Sequence, residues 1–191
     1  PNRVMFFGHS QGGLNVPLYL AIDDSARGGV LSGSGAVISI TLLEKTSPSP
    51  SIADLVKSLF LGLTPDEYDE LDLFHPALSV AQTLVDSIDP INFSRLLVRE
   101  PRPGHLPKSI LMTEGINAEG VGDTYTPPRG TEAQAIAIGL PPQNPVLRSI
   151  PQLVYAGIEA VTIPAAGLSG NLAGGAASGV LAQWAPGKRD G

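Results

Sequence analysis

Residues Gly8-His9-Ser10-Gln11-Gly12 place a serine between two glycines in the spacing G-x-S-x-G, directly after the apolar run Val4-Met5-Phe6-Phe7. A serine hydroxyl is a weak nucleophile unless a base takes its proton and the backbone lifts its oxygen clear of the chain. A sharp strand-to-helix corner meets the second need. Small residues at Gly8 and Gly12 let the chain turn, Ser10 sits at the tip, and a helix opening at Gln11 offers unpaired N–H groups, the Gln11 amide first, to a developing oxyanion. The pattern alone arises by chance in roughly a few per cent of chains of this length, since glycine is about 7% of residues. The strand before it and the helix after it give it weight; the plainer reading is a glycine turn with an incidental serine.

The stretch "FFGHSQGG" resembles the nucleophile elbow of α/β-hydrolases, particularly their lipase and esterase branches, and the likeness extends to about residue 140. The resemblance implies a mostly parallel sheet with a helical cap inserted into it, and an acid in the loop after a later strand. "SILMTEGINAEGVGDTYTPPRG" matches that arrangement, so Asp123 is carried over as the triad acid, with Glu114 and Glu119 as competitors. A loop aspartate that merely caps a turn is the alternative.

Family order then asks for a histidine after the acid. The three histidines are His9, His75 and His105, all before Asp123. His9 adjoins the serine with its ring expected to point away from it, His75 precedes Pro76 at a helix start, and His105 lies in a proline-rich loop. Either the chain is a silent binding relative of a hydrolase, or it is a piece of a longer protein whose base lies beyond Gly191. The second is the expectation. The chain enters a strand within three residues and ends at a turn, and the second oxyanion donor, expected from a loop before the elbow, is also missing.

The elements that must position these residues follow from periodicity. "RVMFF" (3–7) reads as a buried strand, and a helix over Gln11 to Ile22 carries Pro17, which costs it a hydrogen bond and should kink it. "GGVLSGSGAVISI" (28–40) reads as a second strand with its exit loop, 109–115 as a third and 179–184 as a fourth, giving an α/β architecture of about four visible strands. Between them, Ser51 caps an amphipathic helix bearing Ile52, Leu55, Val56, Leu59 and Phe60. A second helix opens at Thr64-Pro65-Asp66-Glu67, and a third runs over 76–88 until Pro90 stops it. Three helices without a strand suggest an insertion, and divide the chain into an elbow part of the core (1–45), a helical cap (46–105), and an acid-loop part with the C-terminal segment (106–191). A helix capped by Thr131 ends at Gly139; 140–178 reads mostly as loop.

With 191 residues, 42% of them hydrophobic and 16% charged, the chain can bury a sizeable core. A formal charge of −6 without basic clusters argues against nucleic acid as a partner. Zero cysteines exclude disulfides and thiolate metal sites and leave the compartment open. No apolar stretch reaches the roughly 20 residues of a membrane helix, and no nucleotide or zinc motif occurs, so no cofactor or metal is expected. By resemblance the cap lies over the site, with Leu55, Leu59, Phe60, Leu78, Leu84 and Ile88 either holding it down or lining an acyl cavity. The expected activity is hydrolysis of apolar carboxylic esters or lipid-like substrates through an acyl-serine. An acyltransferase or amidase on the same scaffold is the neighbouring possibility.

Overall fold

Each apolar run read as a strand becomes one. The computed structural model describes residues 4–185, in which Val4–His9 (β1), Ala26–Ser32 (β2), Ser109–Gly115 (β3) and Gly179–Trp184 (β4) form one sheet in the order β1-β2-β3-β4. Every neighbouring pair is parallel. Parallel neighbours need crossovers, and the helices supply them. Gln11–Ile22 (α1) joins β1 to β2. Ile38–Glu44 (α2), Ile52–Leu55 (α3), Pro76–Val85 (α4) and Pro90–Val98 (α5) lie between β2 and β3. Pro128–Ile138 (α6) and Pro151–Tyr155 (α7) lie between β3 and β4. The result is an α/β fold, and no helix among the described residues is long and apolar enough to cross a membrane. The turn expected at the very end lies, from Pro186 onward, outside the described residues.

Paired residues of parallel strands share a face, so register assigns the two faces. Gly29, Leu31, Ile110, Met112 and Leu181 lie on one of them, where α1, α5 and α6 pack side by side through Val16, Leu20, Leu97, Val98, Ala135 and Ile138. Each leucine-sized side chain buried there contributes about 1.5–3 kcal/mol. The opposite face carries Met5, Phe7, Val30 and Leu111.

Several elements differ from their sequence reading. The second strand ends at Ser32, and the apolar residues after it form α2. Pro90 opens α5 instead of only stopping α4, with Asp89 as its N-cap. The helix capped by Ser51 becomes a π-helical turn over Val56–Phe60, and the second cap helix is a 3-10 segment, Pro65–Glu70. The helix of the acid-loop region starts at Pro128; Thr131 lies inside it, buried, its hydroxyl donating to the Ser34 carbonyl at 2.7 Å. The segment 140–178 contains α7 and a 3-10 turn, Ala173–Gly175.

Two buried charges pin the crossovers. The wholly buried Asp89 carboxylate accepts from the N–H groups of Val37 (3.0 Å), Ile38 (2.7 Å) and Ile91 (2.9 Å) and from Gln82 Nε2 (2.7 Å), so one side chain caps both α2 and α5. It also holds Val37 in a left-handed conformation (φ 61°) that a β-branched residue rarely adopts. At the amino end of the sheet, buried Lys108 donates to the carbonyls of Asp23 (2.8 Å) and Ala26 (3.1 Å) and to the Asp24 carboxylate (2.5 Å), which its bond and charge hold below the usual carboxylate range.

Candidate active site

Ser10 stands where β1 gives way to α1, with φ 53° and ψ −119°. Such a backbone is strained for any residue but glycine, by about 1–3 kcal/mol. A serine at a helix N-cap ordinarily spends its hydroxyl on the first turn. Here it makes no side-chain cap bond, so its Oγ stays available, and the residue is exposed. The corner is fastened to the end of β2 by the Ser10 N–H, which donates to the Ser32 carbonyl at 2.9 Å. Gln11 is the first residue of α1, so its N–H falls outside the helix's own ladder.

The two glycines of the motif differ in their surroundings. A Cβ at Gly8 would stand 2.5 Å from the Gly12 carbonyl oxygen and 2.8 Å from Val16 Cγ2, so a side chain there would force the corner open. A Cβ at Gly12 would meet nothing within 4 Å. The helix behind the corner is braced by a set of residues far apart in sequence. Pro17 sits inside α1 and has no N–H for the Gly13 carbonyl four residues earlier. Ser34 Oγ donates to that carbonyl at 2.6 Å and lies 2.6 Å from the Gln134 side-chain amide. The approach is so close that a Cβ at Gly13 would come 2.7 Å from Ser34 Cβ.

Asp123 is returned to the end of β3 by a tight loop. The Asn117 N–H donates to the Val121 carbonyl (2.9 Å), Asn117 Oδ1 accepts from the Val121 N–H (2.8 Å), and Ile116 pairs with Gly122. A Cβ at Gly122 would strike the Pro128 ring at 2.2 Å. The Asp123 N–H donates to the Gly115 carbonyl at 3.0 Å, and its Oδ1 accepts from the Tyr125 N–H at 2.7 Å. The loop then bonds forward: Thr126 Oγ1 donates to the Gly33 carbonyl (3.0 Å), and the Thr124 carbonyl accepts from the N–H groups of Thr46 and Ser47 just after α2.

Ser10 and Asp123 thus stand at the same, carboxyl, edge of the sheet, at the ends of strands two apart, about 10 Å by strand spacing. A cavity of about 90 Å³ adjoins the serine, with Ser10, Gln11, Leu14, Lys45, Ile52 and Tyr125 among its walls. Among the described residues no histidine bonds to Ser10 or Asp123. His9 Nδ1 lies 3.1 Å from Ser32 Oγ, His75 Nδ1 accepts from the Ala77 N–H as the cap of α4, and His105 faces Asp24 at the opposite edge.

Of the competing acids, Glu119 lies in the loop, whereas Glu114 points into the helix-covered face and is buried. Burial, before all else, pushes the Glu114 carboxyl up to about 7, with the charge of Glu132 acting the same way. Between β2 and β3, Phe60 and Leu78 line a separate apolar cavity of about 270 Å³ with Leu42, Val56, Ala77 and Ala81; Phe60 itself is exposed, as are Leu55, Leu59, Leu84 and Ile88. Comparison with family models, curated proteins and solved structures gives no match.

Proposed function

We propose that this chain carries the nucleophile, the acid and one oxyanion donor of a serine hydrolase resembling the lipase and esterase branches of the α/β-hydrolases, acting on carboxylic esters through an acyl-serine. The observation that carries this reading is the strained backbone of Ser10 together with its uncommitted hydroxyl. Strain of this kind persists where the surroundings over-determine it, as at catalytic corners. Ser10 Oγ attacks the ester carbonyl carbon as a base takes its proton, and the Gln11 N–H donates to the oxygen that becomes negative. The tetrahedral adduct expels the alcohol, which leaves with that proton, and water then releases the acid by the same steps. Asp123 holds the base in the correct tautomer and supports its positive charge. The base this chemistry needs is a histidine, and among the described residues His9, His75 and His105 bond elsewhere. Leu14 and Ile52 in the serine cavity suit an apolar ester.

The test is a serine-directed fluorophosphonate applied to the intact protein and read by peptide mass spectrometry. Modification should fall on the Ser10 peptide and vanish in Ser10→Ala; modification elsewhere, or none while a hydrolysable ester is turned over, overturns the assignment. That none of the three histidines hydrogen-bonds to Ser10 or Asp123 among the described residues favours a second reading, a silent module that binds an apolar ligand in the same cleft. Binding of a neutral ester without turnover or labelling identifies that case. Acyl transfer or amide cleavage uses the same residues, and kinetic comparison of ester, amide and added alcohol separates them.

A further inference from the structure

Glu114 is an ionisable side chain that the proposed chemistry does not use, and it sits directly beneath the loop that carries Asp123. It is 2% exposed; Oε2 accepts from Gln183 Nε2 at 2.9 Å, and Oε1 has no hydrogen-bond partner. An unpartnered carboxylate oxygen in such a place is costly, whereas a neutral carboxyl is tolerated. Gln183 cannot turn to help, because its Oε1 accepts from the N–H groups of Leu147 (3.0 Å) and Arg148 (3.1 Å) and its Nε2 also donates to the Arg148 carbonyl (3.0 Å).

The same network reaches the loop. The Arg148 guanidinium passes close over Gly120, where a Cβ would come 3.4 Å from Nη1, and stands 3.9 Å from Glu132 Oε1 on α6. Gly115, the residue after Glu114, accepts the Asp123 N–H. The groups facing Glu114 are therefore Gln183 from β4, Glu132 from α6, and Arg148 from the segment that crosses the loop, with Arg129 and Glu44 beyond Glu132.

We propose that Glu114, in its neutral form, is the positioning residue that keeps the Asp123 loop seated on the end of β3, and that its ionisation loosens the loop. The role of Asp123 in this statement rests on the proposed hydrolase; the coupling of Glu114 to the loop does not. A carboxyl held up to about 7 when folded, against about 4.3 in the open chain, favours the seated state at low pH and loses that advantage as pH rises to 7.

Hydrogen exchange of the amides in 116–124, corrected for intrinsic chemistry, reads this in the intact protein. The loop-opening equilibrium should climb by up to about thirty-fold between about pH 5.5 and 8, the limit reached if opening bares Glu114 fully to water, and level off above 7. It should be flat in Glu114→Gln, which keeps the neutral shape. Glu132→Gln, which leaves Glu114 in place, should bring the levelling point to lower pH. A flat wild-type profile, or a rise that survives in Glu114→Gln, overturns the proposal. If the exchange behaves as expected but fluorophosphonate never labels Ser10, the positioning stands and the hydrolase reading fails.

Discussion

At the scale of single residues, the corner trades stability for geometry. Ser10 holds φ 53° at a cost that glycine would not bear. Ser10→Gly should therefore raise stability by about 1 kcal/mol in chemical denaturation while abolishing fluorophosphonate labelling, an inverse relation typical of strained sites. Unchanged or lowered stability would mean that the strain is not there. Gly8→Ala drives a methyl into the Gly12 backbone and should cost about 1–3 kcal/mol and the labelling with it. Gly12→Ala enters open space on a helix and should be neutral or gain up to about 1 kcal/mol. The sequence motif presents these glycines as equals; only the distance from position 8 to position 12 separates them. Asp123 was legible as a loop carboxylate after a strand, whereas the burial of Glu114 was not, because a lone glutamate at a strand end reads as solvent-facing until the helix over it is known.

At the scale of elements, strands and crossovers could be read from apolar runs, and three strands fall within a residue or two of their expected bounds. What failed were boundaries set by partners distant in sequence. Pro90 reads as a stop after the helix over 76–88, yet Asp-Pro is equally the opening of a helix, and the buried Asp89 settles it by capping α5 and α2 together. By sequence Pro17 costs α1 a hydrogen bond; the repair comes from Ser34, beyond the next strand. That repair makes a quantitative prediction. Ser34→Ala should cost about 1–3 kcal/mol by leaving the buried Gly13 carbonyl without a donor. In a Pro17→Ala background, where residue 17 regains its N–H, the same substitution should cost at least about 0.5 kcal/mol less. A double-mutant cycle by urea unfolding measures the difference, and strict additivity would refute the pairing.

At the scale of the whole molecule, helices cover one face of the sheet, whereas the other is open from β1 to Leu111 and buried only at Val180 and Ala182 of β4. All-parallel sheets occur almost only with both faces buried, because their strands are apolar on both. Here α1, α5 and α6 cover one face, while on the other Phe7 is 68%, Met5 53% and Leu111 41% exposed, with Trp184 at 61% at the end of β4. β1 is also an edge, its outer side pairing with no strand among the described residues. A patch of large apolar side chains beside an open edge drives association, and the net charge of −6 opposes it only by weak, salt-screened repulsion. Residues 1–191 expressed alone should therefore self-associate in sedimentation velocity at micromolar concentration, more strongly in high salt, and should bind a hydrophobic dye. Phe7→Lys with Leu111→Lys should reduce both without moving the far-ultraviolet circular dichroism, since neither side chain is part of the buried core. A chain that stays monomeric and dye-free at every salt concentration would mean that this face is less sticky than its composition demands, and the account of the sheet as half-covered would fall with it.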